Sequence, residues 1–216
     1  MVKALYVLGA GGHSSVLVDI LKGNGENIDA IYSPEQDISR LSLSDIKNCS
    51  DENALLEEDP SNIVLVNGIG SLPGNALRKV IFNKFSEQGF IFKKVISKHA
   101  IVSPYAILGE GVQVLAGAII QAGAKVGDNS IINTGAIIEH DCIIGDHNHI
   151  APGATLSGQV ITGDNVHIGT GGVVIQSINI GSDTIIAAGA IVTQSIESQK
   201  IVFGARANIQ DKKVRK

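Results

Sequence analysis

From Val102 to Val192 an aliphatic side chain returns every six residues. The column runs Val102, Leu108, Val114, Ile120, Val126, Ile132, Ile138 and onward in step to Val192, with Thr162 its one polar member. Small residues recur two places ahead of the column, among them Ala118, Ala124, Ser130, Ala136, Cys142, Ala154 and Ala190. A third pattern has a period of eighteen: Gly109, Gly127, Gly145, Gly163 and Gly181, each followed by an acid or a serine. Fixed-period self-similarity outranks local propensity, and a period of six fits neither a helix nor an alternating strand. It fits a chain that turns a corner every six residues and points one aliphatic side chain inward per turn. Three faces then close a coil of eighteen residues, and the coils stack as parallel strands about 4.8 Å apart. The glycines at eighteen mark a corner that needs either a positive φ or close backbone approach.

Composition agrees with a narrow prism filled by Ile, Val and Ala: hydrophobic residues make up 44%, aromatics only 4%, and Trp is absent. The net charge of −4 argues against a nucleic-acid surface. No apolar run approaches the roughly 20 residues of a membrane span. The start Met1-Val-Lys-Ala-Leu lacks the pattern of a secretion signal, so a cytoplasmic protein is expected. Cys49 and Cys142 form no framework, and Cys142, in the small-residue column, is expected to be a buried thiol.

Ahead of the repeats, apolar runs alternate with helical patterns. Strands are expected over 5–8, 28–32, 62–66 and 90–96, and helices over 15–22 and 75–88, with 33–60 mostly loop. Such alternation implies a small parallel sheet flanked by helices. The expected division is a Rossmann-like nucleotide-sugar-binding domain over 1–98, the coil over 99–199, and a basic tail over 200–216. The tail is either a solvated end or a contact to a phosphate-bearing ligand.

Three motifs bear on chemistry. Gly9-Ala10-Gly11-Gly12-His13-Ser14 joins a strand to a helix, where backbone N–H groups and a helix N-terminus can meet a phosphate. Ser14 replaces the third glycine of a dinucleotide fingerprint, and Tyr32-Ser33-Pro34 lacks the ribose-binding acid, so a nucleotide or sugar phosphate is favoured over NAD. A plain tight turn is the alternative. Gly68 ends a neighbouring strand at the same sheet edge. The second motif is Glu139-His140-Asp141. His140 lies two residues past a column position and should point outward, with a carboxylate able to orient its ring as a general base needs. A solvated corner is the alternative. The third is His149 and His167, eighteen apart and hence stacked. They suggest a ligand groove or a zinc site, and zinc needs three convergent ligands. No metal is expected, His149 is taken as a substrate contact, and His147 and His167 as surface filler.

The unbroken hexads, the Gly-Ala-Gly-Gly-His-Ser loop and the Glu139-His140-Asp141 triplet together resemble the sugar O-/N-acyltransferases of the hexapeptide-repeat class, the group of sialic-acid O-acetyltransferases and UDP-N-acetylbacillosamine-type amino-sugar N-acetyltransferases. The likeness spans Leu5 to about Arg206. It implies a left-handed parallel β-helix, a homotrimer with active sites between subunits, acetyl-CoA as co-substrate and a UDP-linked 4-amino-4,6-dideoxy sugar as acceptor. It implies His140 as base with Asp141 supporting it, and His149 near the acetyl group. Gly158, Thr170 and Ala188 would line the CoA channel, and Gly11, Gly12, His13, Ser33 and Gly68 would hold the nucleotide. The segment Gly204-Ala205-Arg206-Ala207-Asn208 lacks the proline usual in this group. The other readings are O-acetylation of a sialic acid, a zinc enzyme resembling the hexapeptide-repeat carbonic anhydrases, whose usual histidine spacing is absent, and a non-catalytic trimeric scaffold.

Overall fold

The computed structural model describes residues 3–34 and 40–205. Its N-terminal part is a five-stranded parallel sheet of β1 (Ala4–Leu8), β2 (Ala30–Tyr32), β3 (Asn48–Cys49), β4 (Ile63–Asn67) and β5 (Ile91–Phe92), in the order β3-β2-β1-β4-β5. Helix α1 (Gly12–Gly23) follows β1, and α2 (Leu77–Ser86) follows β4. Both are amphipathic: Leu17, Val18 and Leu21 of α1 and Ile81, Phe82 and Phe85 of α2 are buried. They belong to two separate apolar clusters, as expected for helices on a two-faced parallel sheet.

Several elements differ from the sequence expectation. Helix α1 begins at Gly12 rather than at residue 15, so Gly12, His13 and Ser14 form its first turn. Glycine tolerates that position poorly in a mid-helix but well at a start, where Gly11 is the extended N-cap residue. The segment read as loop contains β3 and three short 3₁₀ turns. The single strand expected over 90–96 splits: β5 ends the domain sheet, and β6 (Val95–Ile96) pairs with Gln113–Val114 as the first rung of the coil.

From β6 the chain forms a left-handed parallel β-helix of three sheets with seven, six and five strands. Up to Val192 each rung pairs with the residue eighteen ahead, as in Ile131↔His149 and Ile137↔Thr155. The aliphatic column fills the interior: Ile132, Ile138, Ile150, Leu156, Ile168 and Val174 are all fully buried. The polar member Thr162 is buried too. Its hydroxyl accepts from the Asn148 amide at 2.6 Å. Asn148 stands in the small-residue column, so the polar exceptions of the two columns satisfy each other. The last rung pairs Ile185 with Ile201, a coil of sixteen residues, which is where the six-residue phase ends.

The corners correct one expectation and support its alternative. Gly109, Gly127, Gly145, Gly163 and Gly181 do not have positive φ; that conformation belongs to the third residue after each column position from Leu108 to Ile186, including Gly123, Asn129, Asp141, His147 and Asn165. The eighteen-period glycines answer close approach. A Cβ on Gly145 would stand 2.5 Å from the Gly163 carbonyl and 2.6 Å from Oδ1 of Asp164. The following acids staple the corner: Asp128, Asp146 and Asp164 each accept the backbone N–H of the residue eighteen before, at 2.6, 2.7 and 2.9 Å.

The domain sheet sits on the seven-stranded face of the coil. Leu115 and Ile131 of that face share one apolar cluster with Val7, Leu17, Leu21 and Val95. The other two faces carry aligned outward isoleucines: Ile101 and Ile191 on one, Ile107, Ile143 and Ile161 on the other, all exposed. Residues eighteen apart are distant in the chain but stack directly in the fold, so Ile143 and Ile161 form one stripe, and Ile119, Ile137 and Val173 extend the row between Ile101 and Ile191 on the other face.

No helix among the described residues is long and apolar enough to cross a membrane. The tail beyond 205, and the Arg206-Ala207-Asn208 departure, lie outside the described residues.

Candidate active site

The expected site residues fall into three groups. The first occupies the corner between the six- and five-stranded sheets. His140 and Asp141 project into solvent there, about 60% exposed, with Nδ1 of His140 2.9 Å from Oδ2 of Asp141. A carboxylate oxygen can only accept, so Nδ1 carries a hydrogen, and in the neutral ring Nε2 is the bare nitrogen. Asp141 reaches this position through a left-handed backbone (φ 60°) that aspartate tolerates, its N–H bonded to the Ala122 carbonyl at 3.2 Å and its carboxylate set against Gly123 one coil below. Gly158, eighteen residues after His140, lies under the ring: a Cβ there would be 2.5 Å from Nε2. Its own N–H takes no acceptor among the described residues. Cys142, next in the chain, is fully buried. Its thiol pKa is pushed up by burial, so it is no nucleophile.

The second group lies at the carboxyl edge of the domain sheet, against the seven-stranded face. Gly11, Gly12 and His13 open α1. Gly68 is packed so tightly that a Cβ would meet the Leu8 carbonyl at 2.7 Å and Ser14 Oγ at 2.9 Å. That Ser14 hydroxyl is buried without a hydrogen-bond partner. Ser33, at the end of β2, is buried at the same edge, its N–H bonded to the Cys49 carbonyl at 2.9 Å. His149, on the coil face below, is 8% exposed. Its ring meets that of His167 edge-on at 4.8 Å between centroids.

Buried amides link this group. Arg78 is fully inside, donating from Nη1 to the carbonyls of Asn67 and Ile69 and from Nε and Nη2 to that of Asn129, at 2.7 to 3.1 Å. Burial lowers its pKa to about 9, which still leaves it cationic at neutral pH. Asn67 Oδ1 accepts from the Ile69 N–H, so its NH₂ faces Asn129 Oδ1; the Asn129 NH₂ then donates to His147 Nδ1 at 3.1 Å. Likewise Asn133 Oδ1 accepts from the Thr134 N–H at 2.7 Å, which turns its NH₂ to Nε2 of His149 at 3.0 Å. The hydrogen of His149 is therefore on Nδ1, on the side of the Ser71 backbone. Burial first, then the charges of His167, His13 and Arg78, lower the His149 pKa to about 3. Burial and then Arg78 lower that of His13 to about 4. His147 and His167 are lowered by burial as well. All four imidazoles are neutral near pH 7.

His147 and His167, expected as surface filler, are instead half-buried beneath the domain, His147 against the ring of Phe82. A cleft of about 250 Å³ lies beside them, walled by residues 71–76 and by Asn165 and Asp183. The third group, Thr170 and Ala188, is exposed on the corner between the seven- and six-stranded sheets. Thus His140, Asp141 and Gly158 stand together, whereas the coil body separates them from His13, Gly68 and His149. Among the described residues no three His, Cys, Asp or Glu side chains are grouped to hold a metal ion.

Sequence reasoning missed Asn67, Arg78, Gln113, Asn129 and Asn133. Arg78 alone left a signal: it shares the i, i+3, i+4, i+7 stripe with Ile81, Phe82 and Phe85, an apolar face where a cation is out of place.

Two family models match: "PglD N-terminal domain" over residues 4–85 and "Bacterial transferase hexapeptide (six repeats)" over 123–158. Among solved structures, a His-to-Asn variant of perosamine N-acetyltransferase from Caulobacter crescentus, in complex with CoA and GDP-perosamine, is 31% identical, with 98% of this chain and 99% of that chain covered and a TM-score of 0.83. The acetyltransferase domain of PglB from Neisseria gonorrhoeae, in complex with acetyl coenzyme A, is also 31% identical, with 91% and 94% covered and a TM-score of 0.81. WeeI from Acinetobacter baumannii shares the fold at 20% identity, 93% and 97% covered, with a TM-score of 0.79.

Proposed function

We propose, from the premise that this chain belongs to the hexapeptide-repeat sugar N-acetyltransferases with a PglD-type N-terminal domain, that it transfers the acetyl group of acetyl-CoA to the amine of a nucleotide-linked 4-amino-4,6-dideoxy sugar. The observation that carries this reading is the outward His140, its Nδ1 hydrogen held by Asp141 and its bare Nε2 beside the unpartnered N–H of Gly158. His140 Nε2 takes the proton from the amine as nitrogen attacks the thioester carbonyl, a role typically contributing about 10²–10⁴-fold. The Gly158 N–H stabilises the developing oxyanion. As the C–S bond breaks, the imidazolium returns the proton to the departing thiolate. Transfer is direct, since Cys142 is buried. Histidine variants of the Caulobacter enzyme, to Asn and to Ala, are each seen in complex with CoA and GDP-perosamine, so neither substitution prevents binding there.

The separation of His140 from the nucleotide edge supports a shared site: the coil corner of one copy meets the domain of another. The isoleucine stripes are the surfaces for that assembly, a homotrimer. Thr170 and Ala188, on a different corner from Gly158, then contribute to one CoA channel from neighbouring copies, with His149 facing the acetyl end.

The test is a thiol-release assay with acetyl-CoA against UDP- and GDP-linked 4-amino-4,6-dideoxy sugars and free sialic acid, with products weighed by mass spectrometry. Both nucleotides belong in the panel because the sequence pointed to UDP and the Caulobacter ligand is GDP-perosamine. Acetylation of sialic acid alone, or of nothing, overturns the reading.

A further inference from the structure

Gln113 stands on the coil face beneath the N-terminal domain and is wholly buried. Its Nε2 lies 2.7 Å from the backbone carbonyl of Asn67, which can only accept. The amide therefore presents Oε1 to the other side, where Nε2 of His13 lies 2.7 Å away. That oxygen can only accept in turn, so the His13 hydrogen sits on Nε2 and Nδ1 keeps its lone pair. The arrangement is rigid at its base, because Asn67 is held by Arg78 through the same carbonyl and by the Ile69 N–H at its side chain. The desolvated setting beside Arg78 disfavours the doubly protonated ring, which would erase the distinction.

The surroundings of His13 otherwise supply donors. It lies in the first turn of α1, capped by Gly11 with no side-chain bond and no acidic residue in that turn. Backbone N–H groups there suit phosphate oxygens. Nδ1 of His13 takes no partner among the described residues and cannot pair with an oxygen that bears no hydrogen.

We propose that Gln113 is a positioning residue that fixes His13 as the Nε2–H tautomer, and that His13 Nδ1 accepts a hydrogen bond from a donor group of the nucleotide sugar, a hydroxyl or ring N–H, rather than contacting its phosphates. This rests on reading the sheet edge as the nucleotide-sugar site. It makes a coil residue part of the acceptor's selection, although the ligand touches the domain.

Long-range ¹H–¹⁵N NMR of the uniformly labelled full chain reads the tautomer directly, with His13 assigned from the spectrum of His13→Gln. The expected pattern in the free protein is Nε2–H with bare Nδ1, and in Gln113→Leu a mixture of tautomers. Saturating UDP or GDP, or the corresponding amino-sugar nucleotides, is expected to shift the Nδ1 resonance, whereas inorganic pyrophosphate is not. A response to the nucleoside diphosphate places the donor on the nucleoside; a response only to the complete nucleotide sugar places it on the sugar. An Nδ1–H tautomer, an imidazolium, or an Nδ1 response as large with pyrophosphate overturns the proposal even where nucleotides bind. If no nucleotide perturbs any resonance, the nucleotide-site reading falls and this proposal with it.

Discussion

The ring of His140 rests against the backbone of Gly158, residues stacked one coil apart, so closely that a methyl group at 158 would lie 2.5 Å from Nε2 and 2.6 Å from Cε1. Because the ring is exposed, it can swing away at little cost to the fold, but it then leaves Asp141 and the Gly158 N–H. Gly158→Ala should thus lower kcat by roughly 10²-fold, the scale of a 1 Å misplacement, with an unchanged melting temperature. Wild-type turnover in this variant would remove Gly158 from the site.

His140→Ala removes the proposed base without disturbing a packed residue. Turnover should fall about 10²–10⁴-fold, while the calorimetric affinity for acetyl-CoA stays within a factor of two. Asp141→Asn should cost less, since it leaves Nε2 in reach. A His140→Ala enzyme with near-normal kcat would refute the assigned base.

Neutral buried histidines make the fold sensitive to acid. His13 and His149 have folded pKa values of about 4 and about 3, below the unfolded 6.5. The unfolded chain therefore binds more protons between those limits, and stability, complete above about pH 6.5, is lost as pH falls through 6 toward 4. The loss should reach several kcal/mol, at about 1.36 kcal/mol per pKa unit. Urea midpoints measured from pH 7 to pH 4.5 check it; a flat profile means these rings are not buried as described.

The proposed sharing of the site between two copies predicts complementation. Chains carrying His140→Ala, inactive as bases, and chains carrying Gly12→Asp, which sets a carboxylate at the α1 N-terminus where a phosphate would sit, should each be inactive alone. Co-expressed and purified through two tags, the mixed assembly should regain a measurable fraction of wild-type activity. Persistent inactivity in a verified mixed assembly would place both halves of the site in one chain. Ile161→Glu, in an exposed stripe, should separately shift the sedimentation coefficient toward the monomer.

Thr162→Val tests the interior pairing. It keeps the shape of the column but strips the Asn148 amide of a 2.6 Å acceptor, and an unsatisfied buried donor costs about 1–3 kcal/mol. Valine, the better residue by the repeat's own pattern, should therefore destabilise the chain. A higher urea midpoint would mean that the amide repairs itself elsewhere.

The sequence by itself determined the coil, its three faces, its rung-to-rung register and the outward aim of His140 beside Asp141. All of these follow from spacing within a repeat, where residues eighteen apart must stack and neighbours in the chain stay neighbours in space. It also placed Gly11, Gly12 and Gly68 at one sheet edge, because a parallel sheet puts its loops there. Only the tertiary structure decided what His13, His147 and His149 are. Their protonation and tautomers depend on burial and on amides such as Gln113, which lies a hundred residues from His13. The single-sequence pattern at 113, 129 and 133 is that of ordinary polar positions. A charge state is set by whatever excludes water, and here that is a domain folded back onto one particular face.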